Sequence, residues 1–251
     1  VHYEAMGRGK PVVFIHGWLG SWRYWVPAME ELAPRYRTYA LDLWGFGDSD
    51  RLAGNYGIGI YVDLIGGFLS ALGLARVPLV GHSLGGVVAL AFAAEYPEQV
   101  EQVLAVSVPL LGEDVGAPLA RLAASQRALS RLAARRTAFS EIRLEVGKTD
   151  AEAVVRTVQW VLEQDLRPLL PDQPTPVLLL HGEGDPLVKP TEGKRLANLE
   201  GNLRYVELAE AEHFPMLEER SKFNRLLAEF LECGTDLESL QVKTEWHRRL
   251  R

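Results

Sequence analysis

Three short runs are apolar at every position and rich in Val, Ile and Leu: Val12-Val13-Phe14-Ile15, Val77-Pro78-Leu79-Val80 and Val177-Leu178-Leu179-Leu180. Strands buried on both faces have this pattern, without alternation, and it marks a parallel sheet covered by helices. Two further strand candidates, Thr38–Leu41 and Val103–Val106, fall between them, and Leu203–Leu208 follows. Helical spacing intervenes. Ile58, Tyr61, Leu64, Ile65, Phe68, Leu69 and Leu72 recur on one helix face, and so do Phe223, Leu226, Leu227, Phe230 and Leu231, with Gly234 as the stop. Regular alternation of strand and helix predicts an α/β fold with a mostly parallel, doubly wound sheet and right-handed crossovers.

The alternation breaks between about Pro109 and Pro174, where Ala, Leu, Arg and Glu dominate and no strand-like run occurs. This predicts a helical insertion. Leu119, Leu122, Leu129 and Leu132 predict one long helix or two abutting ones, and Val154, Val155, Val158, Trp160, Val161 and Leu162 another. Pro168, Pro171, Pro174 and Pro176 mark the return to the sheet. An insertion after a strand's C-terminal end lies over the edge where α/β proteins bind ligands, so residues 109–173 are expected to form a lid. The core is then residues 1–108 and 174–251. Arg121, Arg127, Arg131, Arg135 and Arg136 recur at near-helical spacing and fit a solvated face of the lid.

Composition removes several function classes. The chain has 251 residues, 47% hydrophobic and 24% charged, which suits a globular domain with a substantial core. Its one cysteine, Cys233, excludes a disulfide framework and any cysteine-based metal cluster, and a lone cysteine fits the cytoplasm. A net charge of −6 argues against nucleic acid as a partner. No apolar stretch approaches the roughly 18–20 residues needed for a transmembrane helix. At the start, Val1 is followed by no signal-peptide pattern, and His2-Tyr3-Glu4 lead into the turn Gly7-Arg8-Gly9-Lys10-Pro11. The chain is therefore expected to be processed or to begin within a longer protein. Residues 235–251 read as a solvated tail or one surface helix.

The chemistry begins where the run Val77–Val80 meets Gly81-His82-Ser83-Leu84-Gly85-Gly86 and then the small-residue helix Val87–Ala94. Strand, Gly-x-Ser-x-Gly, helix is the context of a nucleophile elbow. Ser83 would sit on a tight, strained turn, with Gly81 and Gly85 removing the side chains that would collide where strand and helix approach. Its hydroxyl would stand clear of the sheet at the positive end of the helix.

With these motifs the chain resembles the α/β-hydrolase superfamily, in its lidded serine-esterase branch, over nearly its whole length. The resemblance rests on His16-Gly17, Asp42-x-x-Gly45-x-Gly47-x-Ser49, Gly81-His82-Ser83-Leu84-Gly85, His181-Gly182-Glu183-Gly184-Asp185 and Glu212-His213-Phe214-Pro215. Such domains start with an antiparallel hairpin, of which only the second strand is expected here. The fold implied is the α/β-hydrolase fold.

A serine hydroxyl needs a base at hydrogen-bond distance, oriented by a carboxylate. Asp185 stands just past Val177–Leu180 and His213 just past Leu203–Leu208, so both should emerge at the sheet edge that carries Ser83. The chain order Ser, Asp, His matches that of α/β-hydrolases. Of the six histidines, His2 and His247 are terminal, His16 belongs to the His-Gly turn, and His82 should point away from Ser83. His16 and His181 are the fallback bases. Among rival acids, Asp42 lies in a Gly-rich turn that it should cap, and Asp114 lies early in the insertion. Ser107 and Pro109 occupy the place where some relatives carry the acid.

For the oxyanion of acyl transfer, the N–H of Leu84 is one expected donor, and by resemblance the N–H of Trp18 is the second. The aromatic loop around Trp18, Leu19, Trp22, Tyr24 and Trp25, with Phe214, is the expected pocket wall, or else packing under the lid. These residues predict a serine hydrolase of carboxylic esters with a hydrophobic acyl or alcohol group, acting through an acyl-enzyme on a small-molecule substrate. No cofactor or metal is expected, since no paired ligand spacing such as His-x-x-x-His occurs. A serine elbow argues against the haloalkane dehalogenase and epoxide hydrolase branches, which attack with a carboxylate. The alternatives are a carbon–carbon bond hydrolase, a perhydrolase-like or haloperoxidase-like enzyme, a lipase or an aminopeptidase. From another class, a non-catalytic ligand-binding module or receptor of the same fold remains a reading. No oligomeric state follows from the sequence.

Overall fold

Hydrophobic alternation decides which layer each strand residue serves. In β2 (Lys10–Ile15), Val12 and Phe14 join one buried cluster while Val13 and Ile15 join the other. The computed structural model of the chain describes residues 1–52, 54–124, 139–170, 174–189 and 202–240. Each strand expected from the sequence is present: β3 (Tyr36–Leu41), β4 (Val77–His82), β5 (Val100–Val106), β6 (Val177–Gly182) and β7 (Leu203–Leu208). Tyr3–Gly7, which the apolar pattern leaves unassigned, form β1, antiparallel to β3 with Tyr3 opposite Leu41. This edge strand is half exposed, so it carries no continuous apolar run.

The strands form a seven-stranded sheet in the order β1-β3-β2-β4-β5-β6-β7, parallel except for β1. Helices cover both faces. On one, α1 (Val26–Leu32) and, beyond the short α7 (Pro215–Glu218), α8 (Arg220–Cys233) bury Met29, Leu32, Phe223, Leu227 and Phe230 against Phe14, Val80, Leu104 and Leu178. On the other, α2 (Ile58–Ala71) and α3 (Leu84–Glu95) bury Ile65, Leu69, Val88 and Phe92 against Val13, Leu79, Val103 and Leu179. The chain leaves β2 toward β3 on one side and returns to β4 on the other. Strand order therefore reverses between β2 and β4, which opens a crevice beyond their C-terminal ends.

Between β5 and β6, the described part of the insertion holds α4 (Ala117–Ala120), running into a 3-10 turn at Arg121–Ala124, then α5 (Ser140–Val146) and α6 (Ala151–Leu162). Leu119 and Leu122 thus lie on a short helix and a turn rather than on one continuous helix. Leu129, Leu132, Arg127, Arg131, Arg135, Arg136 and Pro171 lie outside the described residues, as does the tail from residue 241, with His247. The base of the insertion is stitched to itself and to the core. Leu166 N–H donates to Leu110 O at 2.8 Å and Gly112 N–H to Gln164 O at 3.1 Å. Gly116 N–H donates to Leu187 O and Lys189 N–H to Asp114 O, both at 2.8 Å, just past Asp185.

The approach of β4 to α3 and β2 leaves no space at two glycines. A Cβ on Gly81 would lie 2.2 Å from Gly85 O, and one on Gly85 would lie 2.2 Å from Ile15 O. Backbone cannot move aside as a side-chain tip can. Gly85→Ala should therefore lower stability by about 3 kcal/mol or more, read as a fall in the urea midpoint; an unchanged midpoint would show that the crowding is not real.

Candidate active site

Ser83 sits between β4 and α3 with φ +53° and ψ −114°, a strained conformation for a residue with a side chain. It is the hinge on which the strand turns into the helix, and its N–H is held by Val106 O of β5 at 2.8 Å. Leu84 opens α3, so its N–H has no acceptor within the helix. Beyond β2, Gly17 to Gly20 form a turn closed by Gly20 N–H to Gly17 O at 3.1 Å, with Trp18 and Leu19 as its central residues and Leu19 at φ +62°. The turn packs directly on the elbow. A Cβ on Gly17 would lie 2.8 Å from Ser83 Cβ.

The loops after β6 and β7 carry the other two groups. His213 Nε2 lies 3.2 Å from Ser83 Oγ, and His213 Nδ1 lies 2.8 Å from Asp185 Oδ2. The second carboxylate oxygen of Asp185 accepts the N–H groups of Leu187 at 2.8 Å and Val188 at 2.9 Å. Burial pushes the Asp185 carboxyl up, but the neighbouring His213 and the three hydrogen bonds outweigh it and hold the group below the usual carboxylate range. An ionised Asp185 in turn fixes Nδ1 of His213 as the protonated nitrogen and leaves Nε2 as the acceptor toward Ser83. The two loops brace each other, since Gly184 N–H donates to Ala211 O at 3.0 Å and Gly182 lies against the Glu212 carbonyl.

The other polar candidates have structural partners. Leu43 N–H donates to His16 Nε2 at 2.9 Å and His16 Nδ1 faces Gly17 O at 2.8 Å, so both ring nitrogens hold backbone. His181 Nε2 meets Val108 O at 3.0 Å. Asp42 accepts Trp22 N–H at 2.7 Å and Asp48 N–H at 2.8 Å, and Asp114 accepts Leu111 N–H at 2.9 Å. Among the described residues, His2, Asp42 and Asp48 have ligand atoms within 4.8 Å of one another. Those carboxylates already serve this chain's own donors, because Asp48 pairs with Arg23 at 2.9 Å and Lys148 at 2.7 Å.

The aromatic loop divides rather than forming one pocket wall. Trp18 and Leu19 lie in the cluster that includes Leu119, Val154 and Val158 of the insertion, and Trp18 Nε1–H donates to Thr157 Oγ1 of α6 at 2.8 Å. Trp25 corrects the expectation. The 3-10 turn Trp22–Trp25 leads into α1, which turns Trp25 into the opposite core layer, fully buried, 5.1 Å from the Phe14 ring and 6.3 Å from Phe223. Trp22 packs toward the same layer, with the Arg23 guanidinium 4.7 Å from its ring and His2 at 6.1 Å. Phe214 stacks near His82 at 5.0 Å and Phe139 of the insertion at 6.2 Å. In the sequence, Tyr24 stands only as one aromatic residue of the loop and His82 only as the variable position of the elbow. Yet Tyr24 Oη lies 3.0 Å from His82 Nδ1, and His82 Nε2 lies 2.8 Å from the His213 carbonyl. The signal available for them was a hydrogen-bonding side chain at the variable position of the elbow.

The sequence model of the alpha/beta hydrolase fold matches residues 10–151, more than half of the chain and including the elbow. The chain belongs to the alpha/beta hydrolase fold family. Among its relatives, 2-hydroxy-6-oxo-2,4-heptadienoate hydrolase of Pseudomonas putida is 41% identical over 103 residues, 39% of this chain and 37% of that protein. The matched stretch spans about a third of the length of several such curated relatives. 2-(Acetamidomethylene)succinate hydrolase of Mesorhizobium japonicum is 29% identical over 237 residues, 85% of each chain. The solved meta-cleavage product hydrolase of Pseudomonas fluorescens matches at 26% identity and TM-score 0.77, covering 92% of this chain and 93% of that one. A thermophilic esterase from Thermogutta terrifontis shares the fold at 24% identity and TM-score 0.78, covering 96% and 94%. Among the described residues, no helix is long and apolar enough to cross a membrane.

Buried histidines make stability depend on pH. Burial holds His82 well below the ordinary imidazole value and His181 at about 4, and it lowers His16 as well. Below about pH 6.5 the unfolded chain takes up protons that the folded chain excludes, so stability falls as pH falls. Between pH 7 and pH 5 the loss for His181 is about 2 kcal/mol, and His82 and His16 add to it in the same direction. Urea melts at the two pH values measure it; a flat or rising stability toward pH 5 contradicts neutral burial.

Proposed function

We propose that this α/β hydrolase is a serine hydrolase of carboxylic esters with a hydrophobic acyl or alcohol group. Ser83 Oγ attacks the carbonyl carbon while His213 Nε2 takes its proton. His213 then returns that proton to the leaving alcohol, and Asp185 stabilises the imidazolium. Charge develops on the carbonyl oxygen, for which the N–H groups of Leu84 and Trp18 are the donors; removing one such donor typically costs about 100- to 1000-fold in turnover. Water admitted to the same position, with His213 again as base, hydrolyses the acyl-enzyme.

The single observation that carries this reading is the continuous line from Asp185 through His213 to Ser83, at 2.8 Å and 3.2 Å, on a strained elbow. Its apolar setting also favours the reading, because Trp18 and Leu19 of the oxyanion turn share a buried cluster with Val154 and Val158 of the insertion. Phe214 is the further apolar residue beside the base.

A second reading has a specific support. The relative from Pseudomonas putida is a hydrolase of 2-hydroxy-6-oxo-2,4-heptadienoate, which makes carbon–carbon bond cleavage of a dienone the competing reaction. Turnover of a short- and a long-chain 4-nitrophenyl ester and of a dienone acid separates the two. The ester reading expects faster ester turnover, and Ser83→Ala lowers it by about 10³-fold or more. A Ser83→Ala protein with undiminished ester hydrolysis sinks the serine mechanism, and dienone turnover far above ester turnover selects the second reading.

A further inference from the structure

Two buried polar side chains beside the three-residue line have no part in the chemistry so far. Tyr24 follows the oxyanion turn, and His82 is the last residue of β4, directly before Ser83. Gly17 N–H donates to Tyr24 Oη at 2.5 Å, Tyr24 Oη lies 3.0 Å from His82 Nδ1, and His82 Nε2 lies 2.8 Å from the His213 carbonyl oxygen. A carbonyl oxygen only accepts, so His82 Nε2 carries the hydrogen. A neutral imidazole has one N–H, so Nδ1 accepts, and Tyr24 O–H is the donor. The direction is thereby fixed from Gly17 to Tyr24, from Tyr24 to His82, and from His82 to His213.

Burial keeps each link in the required state. It pushes the Tyr24 phenol well above its ordinary range, so the hydroxyl keeps its hydrogen, and burial together with the nearby His213 keeps His82 neutral. The titratable groups around His82 are Tyr24, His213, Asp185 and His16. A protonated His82 would turn an N–H toward Tyr24 and leave the Tyr24 hydrogen without its acceptor. The rings pack to match: Tyr24 meets His82 edge-on at 5.5 Å and 89°, and the His82 ring is 4.8 Å from that of His213.

We propose that Tyr24 and His82 are positioning residues, a one-directional hydrogen-bond chain that ties the backbone of the base His213 to the oxyanion turn at Gly17. The proposal rests on the serine-hydrolase reading above. Asp185 sets the rotation of the His213 ring and Gly184 N–H holds the loop at Ala211 O, two residues earlier, which leaves the backbone at His213 itself to be held. His82 supplies that hold from the residue next to the nucleophile, so the Ser83–His213 separation is set by two consecutive residues of one turn. Gly17 completes the link. A side chain there would lie 2.8 Å from both His82 Nδ1 and Ser83 Cβ, so the oxyanion turn, the elbow and the base are in one packed unit.

The test uses the full chain with Tyr24→Phe, His82→Gln and His82→Leu. Glutamine keeps an N–H that reaches the His213 carbonyl; leucine keeps none. Tyr24→Phe and His82→Leu should lower kcat for 4-nitrophenyl acetate roughly 10- to 100-fold at nearly unchanged KM, with His82→Gln recovering part of the loss. The pH–rate profile should shift in Tyr24→Phe as His213 is held less firmly. Independently of activity, ¹⁵N spectra of histidine-labelled protein should show His82 as the Nε2–H tautomer at pH 7, with its Nδ1 resonance moving in Tyr24→Phe. Unchanged kcat and pH profile in folded Tyr24→Phe and His82→Leu, while Ser83→Ala is inactive, overturn the positioning role alone. Hydrolysis that survives in Ser83→Ala overturns the serine-hydrolase reading instead, and the tautomer then decides whether the chain exists. An Nδ1–H tautomer at His82 overturns it, even where His82→Leu fails to fold.

Discussion

The site depends on one close approach, that of β4 to α3 across Gly81 and Gly85. With no side chain at either position, the strand turns into the helix within a single residue, and that residue, Ser83, takes φ +53°. Gly85 also lies against the Ile15 and His16 carbonyls, which brings the end of β2 and the turn beyond it onto the elbow. The strand order reverses at that same place. A doubly wound sheet binds ligands at such a switch point because neighbouring chains leave it in opposite directions and nothing of the sheet fills the gap.

Strain collects at this edge. Among the described residues the non-glycine positions at positive φ are Leu19, Ser83, Ser107 and Glu210, which follow β2, β4, β5 and β7. Each such residue costs on the order of 1–3 kcal/mol and persists where its surroundings over-determine it. Here the surroundings are backbone hydrogen bonds: Ser83 N–H to Val106 O and Ser107 N–H to Leu180 O, each at 2.8 Å, carry the ladder one residue past the strands. Described residues of the insertion attach to both core layers. Thr157 of α6 holds the Trp18 indole, while Ile142 of α5 joins the layer of Trp25 and Phe223. Lys148 and Arg23 meet Glu145 at 3.2 Å each, and pairing with Lys148 first, then Arg23, holds Asp48 down at about 2.

The sequence was legible where burial imposes a period. β2, β4 and β6 carry continuous apolar runs because helices cover both faces, and α2, α6 and α8 show a helical stripe because one face is buried. β1 escaped because an exposed edge strand has no such signature, its partner being a backbone rather than a core. The elbow could be read because glycine spacing is a steric statement about backbone, independent of the substrate. Trp25 could not be placed correctly, because an aromatic residue in a loop carries no period that tells one sheet face from the other, and the 3-10 turn at Trp22–Trp25 decided it. Tyr24 and His82 act through hydrogen bonds to residues 58 and 131 positions away, and no local pattern records contacts at that range.

The central claim is that Ser83 is a nucleophile activated by His213. Treatment of the full chain with a fluorophosphonate ester, followed by peptide mass spectrometry, tests it most directly, because it reads the reacting atom without requiring the right substrate. The account predicts one adduct, on the peptide carrying Ser83, formed rapidly in the wild-type chain and slowed by at least about 100-fold in His213→Ala. Labelling that spares Ser83, or that proceeds at the same rate without His213, contradicts it.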